Sequence, residues 1–425
     1  MSSFDKVIGY DEIKKELLQV CDMIHNREVY EKLGAKMPSG ILLEGEPGLG
    51  KTLMAKCFID ECGLNAYTIR KNKSGNFTEH ISEVFEKAKA NAPCIIFLDD
   101  MDKFANEDDN HRDADEYVAI QAGIDEVKNT GVFIIATVNE MFKLPDSLVR
   151  AGRFDRIIEI ENPTYDDCEK IIKHYLKDKK LSNHFMMDDV PKMMNYSSCA
   201  ELETMVNKAA IHAAYERKES IDTDDFVYAV LRHEYHSHDD CACLSKTEIK
   251  TRAIHEAGHA LMCEILIPGS VGLVSIRKNK KSGECGFVHY CKDISDPKHH
   301  ILVSLAGKAA TETFFGRCDL GSEQDIKKVI KVIRDLIANI GISGFGMLDV
   351  SANPRFSDVS EIMNSRIEAV SQALLEKYMF KAKEIVVKNR EFLEKIAQTL
   401  EKKETLLNSD IKKIHDRVKI TEVVV

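Results

Sequence analysis

Residues 45–52 read Gly45-Glu46-Pro47-Gly48-Leu49-Gly50-Lys51-Thr52. This G-x-x-x-x-G-K-[ST] pattern works only between the end of a strand and the start of a helix. The chain supplies both: a short apolar run at Ile41-Leu42-Leu43, and a helical stretch from Leu53 to Asp60. In that frame the glycines let backbone N–H groups curl around a phosphate, and the helix start adds positive potential. Lys51 reaches the outer phosphates and the Thr52 hydroxyl is placed for Mg²⁺. The pattern therefore predicts a nucleotide-binding α/β sheet.

Further along, Cys94–Leu98 and Val132–Val138 are also short continuous apolar runs bounded by turn residues, as buried parallel strands require. Asp99 and Asp100 close the first of them. Carboxylates at the C-terminal end of a parallel strand face the nucleotide crevice, so Asp99 is expected to hold Mg²⁺ and Asp100 to polarise the attacking water. Asn139 closes the second run and could orient that water. Leu144-Pro-Asp-Ser-Leu-Val-Arg150-Ala-Gly-Arg153-Phe-Asp follows. Two arginines three apart could stabilise charge on a neighbouring subunit's nucleotide. From spacing alone, a surface pair in salt bridges is the plainer reading.

Residues 164–234 read as mostly helical, with Leu202, Val206, Ala209, Ala210 and Ala213 at helical spacing between Asp189 and Glu216. Tyr235-His-Ser-His-Asp-Asp-Cys-Ala-Cys is polar and aperiodic, and reads as a linker. His233, His236, His238, Cys241 and Cys243 there can bind metals, but their spacing matches no structural zinc pattern, which favours an incidental polar segment. From Ser245 onward the chain is mainly helical, with a short β region between Val271 and Tyr290. Within it, Glu284–Tyr290 alternates weakly, as an edge strand or an ordinary hairpin strand would.

His255-Glu256-Ala-Gly-His259 lies on a helical stretch. Residues four apart share a helix face, so both imidazoles can meet one metal. Zinc held there would lower the pKa of its water towards about 7, and Glu256 could take the proton. A third ligand is needed. Asp325 is the candidate, although spacing does not separate it from Glu312 or Glu323. Ser322-x-x-Asp325 also reads as a helix-capping box.

With 425 residues there is room for two or three domains. The net charge of −11 argues against a nucleic-acid footprint. The twelve cysteines, in a long chain opening on polar Met1-Ser-Ser-Phe-Asp-Lys, fit a reducing compartment rather than a disulfide framework. The longest apolar runs fall far short of the roughly 20 residues of a membrane span. A soluble, cytoplasmic protein is expected.

Together these residues resemble the FtsH-type membrane AAA proteases, over nearly the whole chain. The resemblance begins at Phe4-Asp-Lys-Val-Ile-Gly9 and Leu33-Gly-Ala-Lys-Met-Pro-Ser-Gly40. It continues through the phosphate loop, Ala92–Asp99 and Arg150–Arg156. His255–Ala260, Leu305-Ala-Gly-Lys-Ala-Ala310 and Ser322–Lys327 complete it. It implies an α/β P-loop AAA+ ATPase domain with a helical lid, followed by a mainly α-helical zinc metallopeptidase domain. The boundaries would be 1–162 for the α/β part, 163–234 for the lid, 235–246 for a linker and 247–425 for the peptidase. It implies ATP, Mg²⁺ and Zn²⁺ as cofactors, a homo-hexameric ring, and unfolded or damaged proteins as substrates.

The resemblance also assigns roles. Nucleotide-binding positions would be Ile8, Gly9, Pro47, Gly48, Leu49, Gly50, Lys51, Thr52, Leu53 and Asp99, with His174 and Ala200 from the lid. Arg150 and Arg153 match arginine fingers, Asn139 a sensor, Asp100 and Glu256 catalytic carboxylates. Asp325 matches the third zinc ligand beside His255 and His259. Three departures stand out. The sequence shows no counterpart of the family's membrane segment ahead of Phe4, as expected of either a soluble offshoot or a fragment. Asp100 stands where a glutamate is usual, one methylene short, which predicts slow hydrolysis or a bridging water. The pore loop, Arg70–Phe77, is shorter and lacks the usual aromatic-hydrophobic-glycine grip; Phe77 is either the grip or the start of a helix's apolar stripe. Alternatives to the coupled protease are a remodeller with a vestigial peptidase and a nucleotide-gated peptidase with weak turnover.

Overall fold

The computed structural model describes residues 2–71, 76–105, 114–150, 152–237, 244–317, 320–338 and 361–421. Residues 238–243 of the expected linker, with His238, Cys241 and Cys243, lie outside them, as do positions 72–75 of the expected pore loop and Ala151. Two compact units emerge, Met1–Asp178 with Tyr196–Val206, and Lys179–Asn195 with Asn207–Val425.

The first unit is built on strands β1 (Gly40–Glu44), β2 (Asn65–Ile69), β3 (Cys94–Leu98), β4 (Val132–Val138) and β5 (Arg156–Glu159). Its helices are α1 (Asp11–His25), α2 (Arg27–Lys32), α3 (Lys51–Cys62), α4 (Phe77–Ala90), α5 (Ala114–Glu126), α6 (Asp146–Val149) and α7 (Tyr165–Leu176). The strands form one parallel sheet in the order β2-β3-β4-β1-β5. β2 and β5 are additions to the sequence reading, because neither is a continuous apolar run. Strand residues alternate between two cores. Ile41, Leu43, Ile95 and Phe97 pack with Leu17 of α1 and Phe58 of α3. Leu42, Ile96, Leu98 and Ile134 pack with Phe85 of α4 and Ile124 of α5. Helices on both faces explain why these strands are apolar without a break. Phe77 opens α4 and stacks edge-on against Phe104 at 5.4 Å, which is the apolar-stripe role.

The segment expected to form the lid continues with α8 (Asp189–Met193), α9 (Cys199–Tyr215) and α10 (Thr223–His233). The helical stretch expected over Asp189–Glu216 is thus interrupted, with Tyr196 in the left-handed region at φ 70°.

The second unit carries α11 (Lys246–Leu266), β6 (Val271–Ser275), β7 (Phe287–Tyr290), α12 (Pro297–Phe315), α13 (Glu323–Ala338), α14 (Glu361–Lys388), α15 (Arg390–Lys403), β8 (Thr405–Leu407) and α16 (Asn408–His415). Ser245 and Glu248 form a capping box that starts α11. From Ala253 to Glu264 every residue of α11 is buried, so this helix is a core element on all sides. Gly258 allows it to meet α12 closely, since a Cβ there would lie 2.5 Å from Ala306 O. The small sheet is antiparallel in the order β7-β6-β8, so β7 stands at an edge. Tyr235, read as linker, is built into this unit: its ring stacks on Phe287 at 4.0 Å and its hydroxyl meets His289 Nδ1 at 2.9 Å. Among the described residues no helix is long and apolar enough to cross a membrane.

Candidate active sites

At the phosphate loop, Gly48 and Gly50 sit at φ +88° and +86°, a conformation that favours glycine. Lys51 is 5% exposed, and its ammonium donates to Gly45 O (2.6 Å) and Glu46 O (2.7 Å). Burial lowers its pKa, opposed by Asp100 and Asp102. The Thr52 hydroxyl donates to Asp99 Oδ1 at 2.9 Å, which brings together the two groups expected at Mg²⁺. Thr137, fully buried on β4, joins them. Its hydroxyl donates to Asp99 Oδ1 (3.1 Å) and accepts from Asp100 N–H (2.8 Å). Sequence reasoning passed over Thr137; the one signal was a lone hydroxyl in the apolar run Val132–Val138.

Asp100 is left-handed at φ 55°, and its carboxylate is held by Lys103 Nζ at 2.6 Å, with Arg70 Nη2 at 3.9 Å. Asn139 donates its backbone N–H to Asp102 Oδ1 at 3.3 Å. The two arginines differ sharply. Arg150 is exposed. Arg153 is 2% exposed and fully engaged within the chain, on both carboxylate oxygens of Asp125 (3.0 and 2.6 Å) and on Ser147 O. Ala200 donates its N–H to Gly48 O (3.1 Å), which sets the start of α9 on the phosphate loop. Cys199 Sγ lies 3.8 Å from Leu49 O and 3.5 Å from the Tyr10 hydroxyl, so the segment after Ile8 and Gly9 borders the same loop. Pro47 and Leu53 are exposed beside it. His174 is exposed on α7, its ring against Tyr175.

In the second unit, α11 and the first turn of α13 bring three ligand atoms together. His255 Nε2 and His259 Nε2 are 3.1 Å apart, and Asp325 Oδ2 lies 3.2 and 3.3 Å from them. Donors about 2.0–2.1 Å from a tetrahedral ion stand about 3.3 Å from one another, so the spacing fits zinc. The chemistry fits as well. His259 Nδ1 donates to Val303 O at 2.7 Å, which leaves its Nε2 as a bare lone pair. Two imidazole nitrogens and a carboxylate facing each other so closely are a donor set that could hold a metal ion. Gly307 of α12 keeps that space open, for a Cβ there would lie 2.5 Å from His255 Nε2 and 2.6 Å from His259 Nε2. Burial would raise the Asp325 carboxyl, but His259 and His255 beside it hold it well below the usual range.

The capping-box reading of Ser322 is corrected here. Ser322 Oγ is buried with no hydrogen-bond partner, so it does not take the Asp325 N–H as a capping box requires, and the Asp325 carboxylate turns to the histidines. Glu256 is 5% exposed and borders the same space; burial pushes its pKa up to about 7, against the pull of His255 and His259. Gly286, just before β7, backs onto its carboxylate: a Cβ there would lie 2.3 Å from Oε1. These groups open on a cleft of about 290 Å³, lined also by Val288, Tyr290, Ile294 and Val303, with Lys328 and Glu284 paired at 2.9 Å. Arg252, His300, Ser304 and Gln324 line it too, so the cleft is mixed, with apolar side chains beside many polar groups.

Two family models match the chain. Residues 41–162 match the ATPase family associated with various cellular activities (AAA), and residues 242–414 match peptidase family M41. Among curated proteins, the ATP-dependent zinc metalloprotease FtsH of Rickettsia prowazekii is 30% identical over 97% of this chain and 69% of its own length. The Mycoplasma pneumoniae protein of that name is 30% identical over 98% of the chain and 62% of its own length. The Bacillus subtilis one is 29% identical over 99% and 70%. The chain thus spans about six- to seven-tenths of the length of these relatives.

Proposed function

Because this chain belongs to the FtsH family of ATP-dependent zinc metalloproteases, we propose that it hydrolyses peptide bonds of protein substrates, and that ATP turnover drives their delivery. The observation that carries the reading is the convergence of His255, His259 and Asp325 beside the buried Glu256 in one cleft.

Zinc, when bound, supplies a Lewis acid that polarises the scissile carbonyl and acidifies a water. His255, His259 and Asp325 hold it; Val303 O fixes the His259 ring. Glu256 accepts the proton from the water and passes it to the leaving amine, a role suited to a carboxyl raised by burial. At the ATPase, Lys51 exchanges its loop carbonyls for phosphate oxygens. Thr52 and Asp99 take Mg²⁺, and Asp100 and Asn139 position the water. Arg150, exposed, is the arginine suited to reach a neighbour's nucleotide in a homo-hexamer. Arg153, pinned to Asp125, would shape the turn that presents it. Unfolded or damaged proteins in the cytoplasm are the expected substrates.

One observation favours a second reading, a peptidase gated by nucleotide binding with slow turnover: the short Asp100 carboxylate is held by Lys103. Degradation that persists with a non-hydrolysable ATP analogue would select it. The first test compares degradation of an unfolded protein, with ATP and zinc, by the native chain and by Glu256→Gln. Cleavage should fall by about 10²–10⁴-fold with ATPase activity and zinc content unchanged. Equal cleavage by both would overturn the mechanism.

A further inference from the structure

The charged groups around the zinc cleft can be accounted for in turn. His255, His259 and Asp325 face one another as metal ligands, and Glu256 is buried beside them. Lys328 of α13 is paired with Glu284 at 2.9 Å. His300, in the first turn of α12, is held below its ordinary pKa by burial and then by Lys328, so it carries no charge at neutral pH. Among the described charged residues of the lining, that leaves Arg252.

Arg252 lies on α11, three residues before His255, so the two side chains share one helix face. It is half-buried and makes no hydrogen bond or ion pair with a described residue. The helix does offer an acid at the right spacing. Glu248 stands four residues earlier, an arrangement that ordinarily gives a helical ion pair. Its carboxylate is taken by the capping box instead: Oε2 accepts from Ser245 N–H (2.8 Å) and from the Ser245 hydroxyl (2.6 Å). These bonds hold Glu248 below the usual carboxylate range, and Arg252 adds only a weaker pull through space. A guanidinium presents a planar fork of donors that matches a carboxylate. At the wall of a cleft it is partly stripped of water with no partner in return. A ligand that brings a carboxylate gains a charge-assisted hydrogen bond there. A ligand that brings an ammonium meets a like charge, and the Glu284 that could receive it is already held by Lys328.

We propose that Arg252 is a specificity-determining residue of the zinc cleft, and that it selects substrates carrying a carboxylate near the scissile bond, either an aspartate or glutamate side chain or the C-terminal carboxylate of the peptide. This rests on the proteolytic reading above for the meaning of the cleft.

The test is a series of fluorogenic peptides cut by the full, zinc-loaded chain. A single glutamate is moved stepwise along an otherwise neutral sequence, with glutamine and lysine counterparts, each with a free or an amidated C-terminus. At the responsive position the glutamate peptide should have a KM roughly five- to tenfold below that of its glutamine counterpart, and the lysine peptide a higher KM still. The difference should shrink as salt is raised. In Arg252→Gln the glutamate-to-glutamine ratio should fall to under about twofold, and in Arg252→Glu lysine should become the preferred residue. Zinc content should hold in both variants, as a check on folding. A preference that follows glutamate in amidated peptides assigns the side chain as the source; one that follows only the free C-terminus assigns the peptide end. A native chain that treats glutamate, glutamine and both termini alike, or an acid preference that survives in folded Arg252→Gln, would overturn the proposal. Peptide binding to zinc-loaded Glu256→Gln, read by fluorescence anisotropy, keeps the two readings apart. A native chain that cuts no peptide sinks the proteolytic reading, while the ratio of affinities for the glutamate and glutamine peptides still decides the selection.

Discussion

The two sites of this chain are assembled in opposite ways. At the nucleotide site the charged groups are engaged with their own chain: Lys51 with Gly45 O and Glu46 O, Asp100 with Lys103, Arg153 with Asp125. Binding there exchanges contacts, which suits a site that must change state each cycle. At the zinc site the ligand atoms already stand within 3.1–3.3 Å of one another, on helices α11 and α13 that both pack against α12. There the cost of organisation is met by the fold, as a site of fixed geometry requires. One site is made of loops at strand ends, the other of helix faces.

The largest expected effect that tests this contrast is Lys51→Ala. Removing a group aimed at transferring phosphate charge should lower ATP turnover by about 10²–10³-fold. Because the zinc ligands are organised without it, zinc content and short-peptide cleavage at zero nucleotide should stay as in the native chain. Zinc loss in Lys51→Ala would break the contrast. Next comes Gly307→Ala, which touches no ligand by sequence. Its methyl group would enter the space between His255 and His259. Zinc affinity should fall by roughly 10–100-fold, the range for disturbed support of a metal site, with ATP turnover unaltered. A competition titration with a chromogenic chelator reads it, and an unchanged affinity would show that the rings relax.

What could be read from the sequence follows the same division. The phosphate loop is legible because its chemistry is contiguous and backbone-based: Gly45–Thr52 must sit between a strand and a helix. His255 and His259 are legible because helical spacing puts them on one face. Asp325 is not, since nothing in its local sequence distinguishes a zinc ligand from a cap; resemblance pointed to it, and the geometry brings its carboxylate to the histidines. Gly307 and Gly286 were invisible, because their role is the absence of a side chain opposite a group far away in sequence. Strands β2, β5 and β8 were missed for a related reason, being stabilised by neighbours rather than by apolar runs of their own. The break between α8 and α9 was hidden by apolar spacing that continues across it.

Thr137→Val is the smallest effect and the sharpest probe of the nucleotide side. The substitution keeps the branched shape but removes the hydroxyl that bridges Asp99 Oδ1 and Asp100 N–H at full burial. Leaving the Asp100 amide without its acceptor should cost about 1–3 kcal/mol in denaturant unfolding of the chain. The functional consequence has a definite sign. Asp99 loses one of two donors that hold Oδ1, the other being Thr52, so the carboxylate swings more freely and Mg²⁺·ATP should bind several-fold more weakly. Zinc affinity should not move at all. If the nucleotide site were as rigidly organised as the zinc site, the loss of one hydroxyl would appear only as instability. If it is held by exchangeable contacts, ATP affinity must fall even in conditions where the variant is fully folded. Isothermal titration at low temperature separates the two.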